Sequence, residues 1–212
     1  MNLHLTQALV PYEIAARWRK DGGFTDCYAW HKRVWDCFPG QPDSARDFLT
    51  RLDDTGDGFR LLILSSSEPA KPDWCPDHGW QTKAVGENFL THPRYHFSLL
   101  ANPTRKLAAP RDAQGKRRGA KRIPISKRED LLAWLERKAA QHGFSITPGE
   151  IRTIPQPRQS FLKAGKAGLH TATEFTGILT VTDPGLLRQA FATGIGSAKA
   201  FGFGMLCLSP QP

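Results

Sequence analysis

From Tyr95 to the C-terminus the chain reads strand, helix, strand, strand, helix, strand, and this order constrains the fold more than any other feature. "YHFSLLANPT" alternates as a half-buried strand does. "KREDLLAWLERKAAQHG" sets Leu131, Leu132, Trp134, Leu135 and Ala139 on one helical stripe. "FSITPGEIRTI" gives one or two strands and "TATEFTGILTVTD" a long one. "PGLLRQAFATG" is a helix opened by Asp183-Pro184, and "FGMLCLSP" is the last strand. The order is that of a ferredoxin-like split βαβ unit.

The first half repeats the order less clearly. "LHLTQALV" is a strand ended by Pro11, and "YEIAARWRK" a short helix. "CYAWHKRVWDCF" is a helix capped by Thr25 or Asp26, with Tyr28, His31 and Trp35 sharing one side. "PDSARDFLTRL" predicts a further helix started by Pro42 and Asp43. "FRLLILSSS" and "QTKAVG" are strands. For 212 residues the expected architecture is α+β: two tandem ferredoxin-like (RRM-like) domains with antiparallel sheets. Residues 1–90 carry the Tyr/His helix, and residues 91–212 carry basic hairpins and a glycine-rich loop. The polar segment "ENFLTHPR" links them.

A formal net charge of +9 favours a polyanion as partner. The basic residues are concentrated. Between two elements lie Arg105, Arg111, Lys116, Arg117, Arg118, Lys121 and Arg122, in a segment too polar to fold alone. A second glycine-punctuated hairpin, "PQPRQSFLKAGKAGLH", carries Arg158, Lys163 and Lys166. The aromatic signature of RNA-recognition motifs is absent, so any RNA must use other surfaces. No apolar run approaches the ~20 residues that span a bilayer, and "MNLHLTQALV" lacks the form of a secretory signal. The expected location is the cytoplasm. Four cysteines without paired spacing give no disulfide framework, and Cys75 with His78 lacks the second pair that zinc requires. Neither metal nor cofactor is expected.

Near the C-terminus "TGIGSAKAFGFGML" gathers Gly194, Gly196, Gly202 and Gly204 around Lys199. Glycines let backbone N–H groups approach a phosphate closely, so a backbone-plus-lysine cradle for RNA is expected. A bulged turn with Phe201 and Phe203 in the core is compatible with it. Of the side chains that could do chemistry, His31 stands out, because an imidazole gives or takes a proton near neutrality. Tyr28 lies one turn earlier; a phenol of pKa ~10 is a poor base but can orient a hydroxyl. On the residues alone, a packing role for this pair stays open.

"YAWHKRVWDCFPGQPDSARDFLTRL", "FSLLANPTRK", "KRIPISKREDLLAWLERK", "FTGILTVTD" and "GIGSAKAFGFGMLCLSP", in that order, resemble the CasE family, the CRISPR repeat endoribonucleases of type I-E Cascade. The segment from Pro11 to Phe24 and "KPDWCPDHGW" fit that pattern poorly. The resemblance implies metal-independent cleavage at the base of a repeat hairpin, leaving 5′-hydroxyl and 2′,3′-cyclic phosphate ends. It implies that the enzyme then stays on the guide RNA with other Cascade subunits. It makes His31 the proton-transfer group, as acid toward the 5′-oxygen or as base. Tyr28 becomes its partner and Lys166 a stabiliser of the phosphorane, while Arg158 and Lys163 grip the stem. A catalytically inactive RNA-hairpin-binding subunit of the same complex is the alternative, and an unrelated basic module a third reading.

Overall fold

The computed structural model describes residues 2–19, 23–40, 46–107, 122–163 and 165–211. In the first half, strand β1 (His4–Pro11) leads into helices α1 (Tyr12–Arg19) and α2 (Cys27–Val34). Strands β2 (Phe48–Asp54), β3 (Gly58–Ser65) and β4 (Trp80–Ala84) complete an antiparallel sheet in the order β2-β3-β1-β4. Thr6, Ala8 and Val10 of β1 point under the helices, as the period of two requires.

The helix expected after Pro42 and Asp43 is corrected here. Residues 42–45 lie outside the described residues, and "FLTRLDD" is strand β2, not helix. Both its faces are covered, which hides the alternation that marks a strand. Phe48, Thr50 and Leu52 face one way, Leu49, Arg51 and Asp53 the other. The tight turn to β3 is built by "DTGDG": Thr55 N–H donates to Gly58 O at 3.0 Å, and Gly56 takes φ +88.

The segment 66–79, including "KPDWCPDHG", stands where a ferredoxin-like unit has its second helix. It earns that place by packing. Trp74 is 1 % exposed, edge-on to Phe24 and Trp30, and its indole donates to Asp36 Oδ2 at 3.0 Å. Burying so large a ring stabilises by roughly 3 kcal/mol. Cys75 is buried beside it. Among the described residues no three His, Cys, Asp or Glu side chains are grouped as a metal site.

The second half begins with β5 (Arg94–Ala101) and a short hairpin, β6 (Thr104–Lys106) with β7 (Arg122–Pro124). Helix α3 (Arg128–Gln141), strand β8 (Phe144–Ile146) and the long hairpin β9 (Arg152–Lys163) and β10 (Lys166–Val181) follow. Helix α4 (Pro184–Thr193), N-capped by Asp183, and β11 (Leu206–Pro210) close the chain. The sheet order β11-β5-β10-β8, with β9 paired to β10, is the ferredoxin-like one. Leu131, Trp134, Leu135 and Ala139 of α3 are buried against it, while Leu132 is only partly covered.

The two sheets meet face to face. Leu3, Leu49, Leu64 and Leu90 pack with Phe191 and Met205 in one shared cluster. Arg51 of β2, 7 % exposed, reaches across to Ser98 of β5 and to Glu174 of β10, the latter at 2.7 Å. Among the described residues no helix is long and apolar enough to cross a membrane.

Candidate active site and nucleic-acid interface

Helix α2 starts because Asp26 stops the preceding turn: its Oδ1 accepts from Tyr28 N–H at 2.9 Å and Ala29 N–H at 2.8 Å. Its buried side, Ala29, Trp30 and Val34, fixes its rotation on the first sheet. Tyr28 and His31 therefore emerge together on the other side, ring centroids 6.4 Å apart. The imidazole lies among Tyr28, Trp35 (6.4 Å) and Phe48 (6.2 Å), half-buried. Lys32 Nζ sits 5.5 Å from the Tyr28 ring centre.

His31 opens on a cleft of about 300 Å³ between the two halves of the chain. One wall is α2 and β2, with Thr50 and Leu52; the other is Arg158, Gln159 and Ser160 of β9 with Ala200, Phe201 and Gly202. Arg158 owes its place to a β-bulge: the register of β9 on β10 slips between His170 and Ala172, opposite Pro157-Arg158. Phe201 is the hinge of the far wall, touching Tyr28 (6.2 Å), Phe161 (4.6 Å) and His170 (4.8 Å). Burial pushes His170 below the ordinary histidine range, and Asn102 Nδ2 lies 3.0 Å from its Nδ1. Its ring packs against Phe161 and Phe201.

Lys166 is exposed, at the end of β10 opposite Lys163, and is not among the cleft's lining residues. The structure thus brings together His31, Arg158 and Gly202, with Tyr28 packed on the cleft's Phe201, and leaves Lys166 apart at the hairpin tip.

The glycine-rich loop resolves into two pairs. Gly194 and Gly204 close it on itself: Gly194 N–H donates to Ala190 O, Gly204 N–H to Leu100 O, and Ile195 N–H to Gly204 O, each at 2.8 Å. A Cβ on Gly204 would stand 2.6 Å from Ile195 O. What comes close to these two glycines is the chain itself, so their amides are not donors for a phosphate. That part of the sequence reading is corrected. Gly196 and Gly202 also have positive φ, but a Cβ there would meet only ordinary contacts, the Trp134 ring at 3.4 Å and Leu52 N at 4.0 Å. Phe203 is fully buried, and Phe201 faces the cleft. Lys199 donates to Thr193 O at 2.8 Å; burial lowers its pKa, and Arg46 and Lys138 lower it further.

A second concavity, about 480 Å³, lies between the β6–β7 hairpin, α3 and the loop. Arg105, Lys106, Arg122, Arg137 and Lys138 line it with Gly196 and Ser197, and among the described residues no carboxylate does. Lys138 is held below its usual range by burial, then by Arg137 and Arg122. Such crowding of cations is relieved by a bound anion. Lys106, Arg137 and Lys138 were not singled out from sequence. Trp134, Arg137 and Lys138 follow helical spacing, and that signal could have found them. Arg111, Lys116, Arg117, Arg118 and Lys121 lie outside the described residues, as does the side chain of Lys163.

Two ferredoxin-like units packed through their sheets, with a Tyr/His helix at the seam and a cationic groove beside it, define a tandem ferredoxin-like protein of the polyanion-handling class. A model of the CRISPR associated protein family matches residues 3–210, and the chain belongs to that family. It is 30 % identical over 201 residues to the CRISPR system Cascade subunit CasE of Escherichia coli (strain K12), covering 93 % of this chain and 96 % of that one. It is 32 % identical over 200 residues to the CRISPR-associated endoribonuclease Cse3 of Thermus thermophilus, covering 86 % and 90 %. The crystal structure of the CRISPR-associated protein Cas6e from Escherichia coli K-12 superposes over the full length of both chains, with TM-score 0.72 and 26 % identity. Thermus thermophilus Cse3 bound to an RNA representing a pre-cleavage complex shares the fold, with TM-score 0.72, 23 % identity and coverage of 99 % and 100 %.

Proposed function

We propose that the chain is a metal-independent endoribonuclease that cuts the stem-loop of CRISPR repeat RNA and stays bound as a cytoplasmic Cascade subunit. Residues 1–90 form the domain that brings the Tyr/His helix, and residues 91–212 the domain that brings the basic surfaces. One observation carries the reading: His31 and Arg158 line the same cleft from opposite halves of the chain, beside a groove lined by five cations.

In this reaction the 2′-oxygen attacks the adjacent phosphorus, the P–O5′ bond breaks, and a 2′,3′-cyclic phosphate and a 5′-hydroxyl result. His31 as imidazolium gives its proton to the departing 5′-oxygen, and Tyr28 orients the 2′-hydroxyl, whose proton leaves to solvent. Arg158 faces the charge that develops on the phosphorane. Lys166, from the hairpin tip, reaches the same phosphate once the strand is bound. Lys163, Arg105 and Arg122 hold the stem, as do Arg111, Lys116, Arg117, Arg118 and Lys121. Lys199 supplies charge beside the loop, and Gly196 and Gly202 allow close backbone approach.

The test is incubation with the repeat RNA of the chain's own CRISPR array in EDTA, with analysis of product ends. The expected products carry the two named termini. His31→Ala is expected to slow single-turnover cleavage by about 10²- to 10⁴-fold with stem-loop affinity kept. Cleavage that survives His31→Ala, or that stops in EDTA, refutes the reading.

A further inference from the structure

An N-cap needs one oxygen, and Asp26 uses two. While Oδ1 caps α2, Oδ2 accepts the backbone N–H of Leu162 at 3.1 Å, 136 residues away in β9. Leu162 immediately precedes Lys163, at the end of the hairpin whose next strand begins with Lys166. Besides the ladder to β10, one ring holds that end on its inner face, Phe161 against His170 and Phe201, and the other face is bare. Leu162 is 59 % exposed and Leu169, on the facing strand, 56 %. A two-stranded ribbon held on one face by so small a cluster is marginal in water. The bulge opposite Thr171 further separates it from the regular part of the sheet.

We propose that Asp26 is a positioning residue for cleavage: one carboxylate sets the helix bearing Tyr28 and His31 and ties the β9–β10 hairpin, with Arg158 and Lys166, to it. This rests on the nuclease reading above. The phosphate must meet groups from both halves of the chain at once. A misplacement of about 1 Å between such groups costs on the order of 10²-fold in rate. The sharing also explains aspartate at this position. Serine caps a helix about as well but is too short to reach both the helix amides and β9. Asparagine can cap or accept from Leu162, not both.

The experiment uses the full chain and the repeat stem-loop RNA of its own array, comparing wild type, Asp26→Ser and Asp26→Asn. Melting temperature, RNA affinity, single-turnover rate and the pH profile of that rate are read together. Both variants are expected to cleave about 10- to 100-fold more slowly. Asp26→Ser is expected to keep its melting temperature within a few degrees, its affinity within about threefold, and an unchanged pH profile, since the proton-transfer groups remain. Wild-type cleavage rate in Asp26→Ser overturns the positioning role alone. So does a rate loss matched by an equal loss of affinity or by a collapse of the fold in both variants. A wild-type chain that leaves the repeat uncut overturns the nuclease reading, and the positioning role with it.

Discussion

Arg51→Met removes the polar tie between the two sheets while keeping most of its volume. In the native chain the guanidinium is nearly buried; its Nε bonds Asp53 Oδ1 at 2.8 Å, its Nη1 the Ser98 hydroxyl, and its Nη2 Glu174 Oε1 at 2.7 Å. Removing one partner of a buried ion pair costs about 3–5 kcal/mol, mostly because the other charge is left behind. Here Glu174 keeps the Ser98 hydroxyl at 2.7 Å and Gln156 Nε2 at 3.3 Å, and Asp53 keeps Arg60 at 2.9 Å. The expected loss is therefore at the lower end, about 3 kcal/mol. In a chain of 212 residues that lowers the melting temperature by roughly 6–12 °C. Urea unfolding at neutral pH measures it directly, with the m-value as a check that the unfolded state is unchanged. Adding Glu174→Gln neutralises the orphan and is expected to return about half of the loss. A loss below about 1 kcal/mol for Arg51→Met would mean that the pair is worth no more than a surface ion pair. The contact between the sheets would then owe nothing to this cation.

In the glycine-rich loop, Gly204→Ala combines positive φ with a clash on Ile195 O and is expected to cost about 3 kcal/mol, whereas Gly202→Ala, strained but uncrowded, costs about 1 kcal/mol. Ala198 holds φ 61 without being glycine, so Ala198→Gly is expected to gain up to about 1 kcal/mol in the same urea assay. In the cationic groove, Arg137→Ala and Lys138→Ala are each expected to lower the slope of log affinity against log salt for repeat RNA by ~0.7–0.9. Lys138 and Lys199 start with lowered pKa values, and a bound phosphate raises them again. Binding then takes up protons, and affinity falls as pH rises through the depressed values. Calorimetry in buffers of different ionisation heat checks the uptake, and proton release would refute it.

How much of this was legible depended on which signals were local. The second unit was legible because α3 has one apolar stripe and α4 an Asp-Pro start, each a pattern within a dozen residues. Tyr28 and His31 were legible as a pair because helical spacing alone sets them on one side. Strand β2 was not: buried on both faces, it shows no alternation, and its apolar and charged residues also suit a helix. "DTGDG", the turn that betrays it, lies past its end. The cleft was only half legible, since Arg158 reaches it through a bulge that spacing does not announce. The second role of Asp26 was not legible at all, because its partner amide belongs to a strand 136 residues on.

The misread strand is also the one on which the site depends. With a side-chain period of two, β2 presents different chemistry to its two sides. Phe48 supports His31, Thr50 and Leu52 line the cleft, and Leu49 and Arg51 engage the second half. A slip of one residue against β3 would exchange the faces. It would drive a guanidinium into the aromatic cluster under α2 and leave Glu174 without its cation. The turn at Gly56 fixes that register locally, and the Arg51 tie fixes it across the seam. The distance between His31 on one half and Arg158 on the other is thus set before any RNA arrives, by the packing of both sheets together with the Asp26 bond to β9. Preorganisation of this kind costs the reaction little at the moment charge moves.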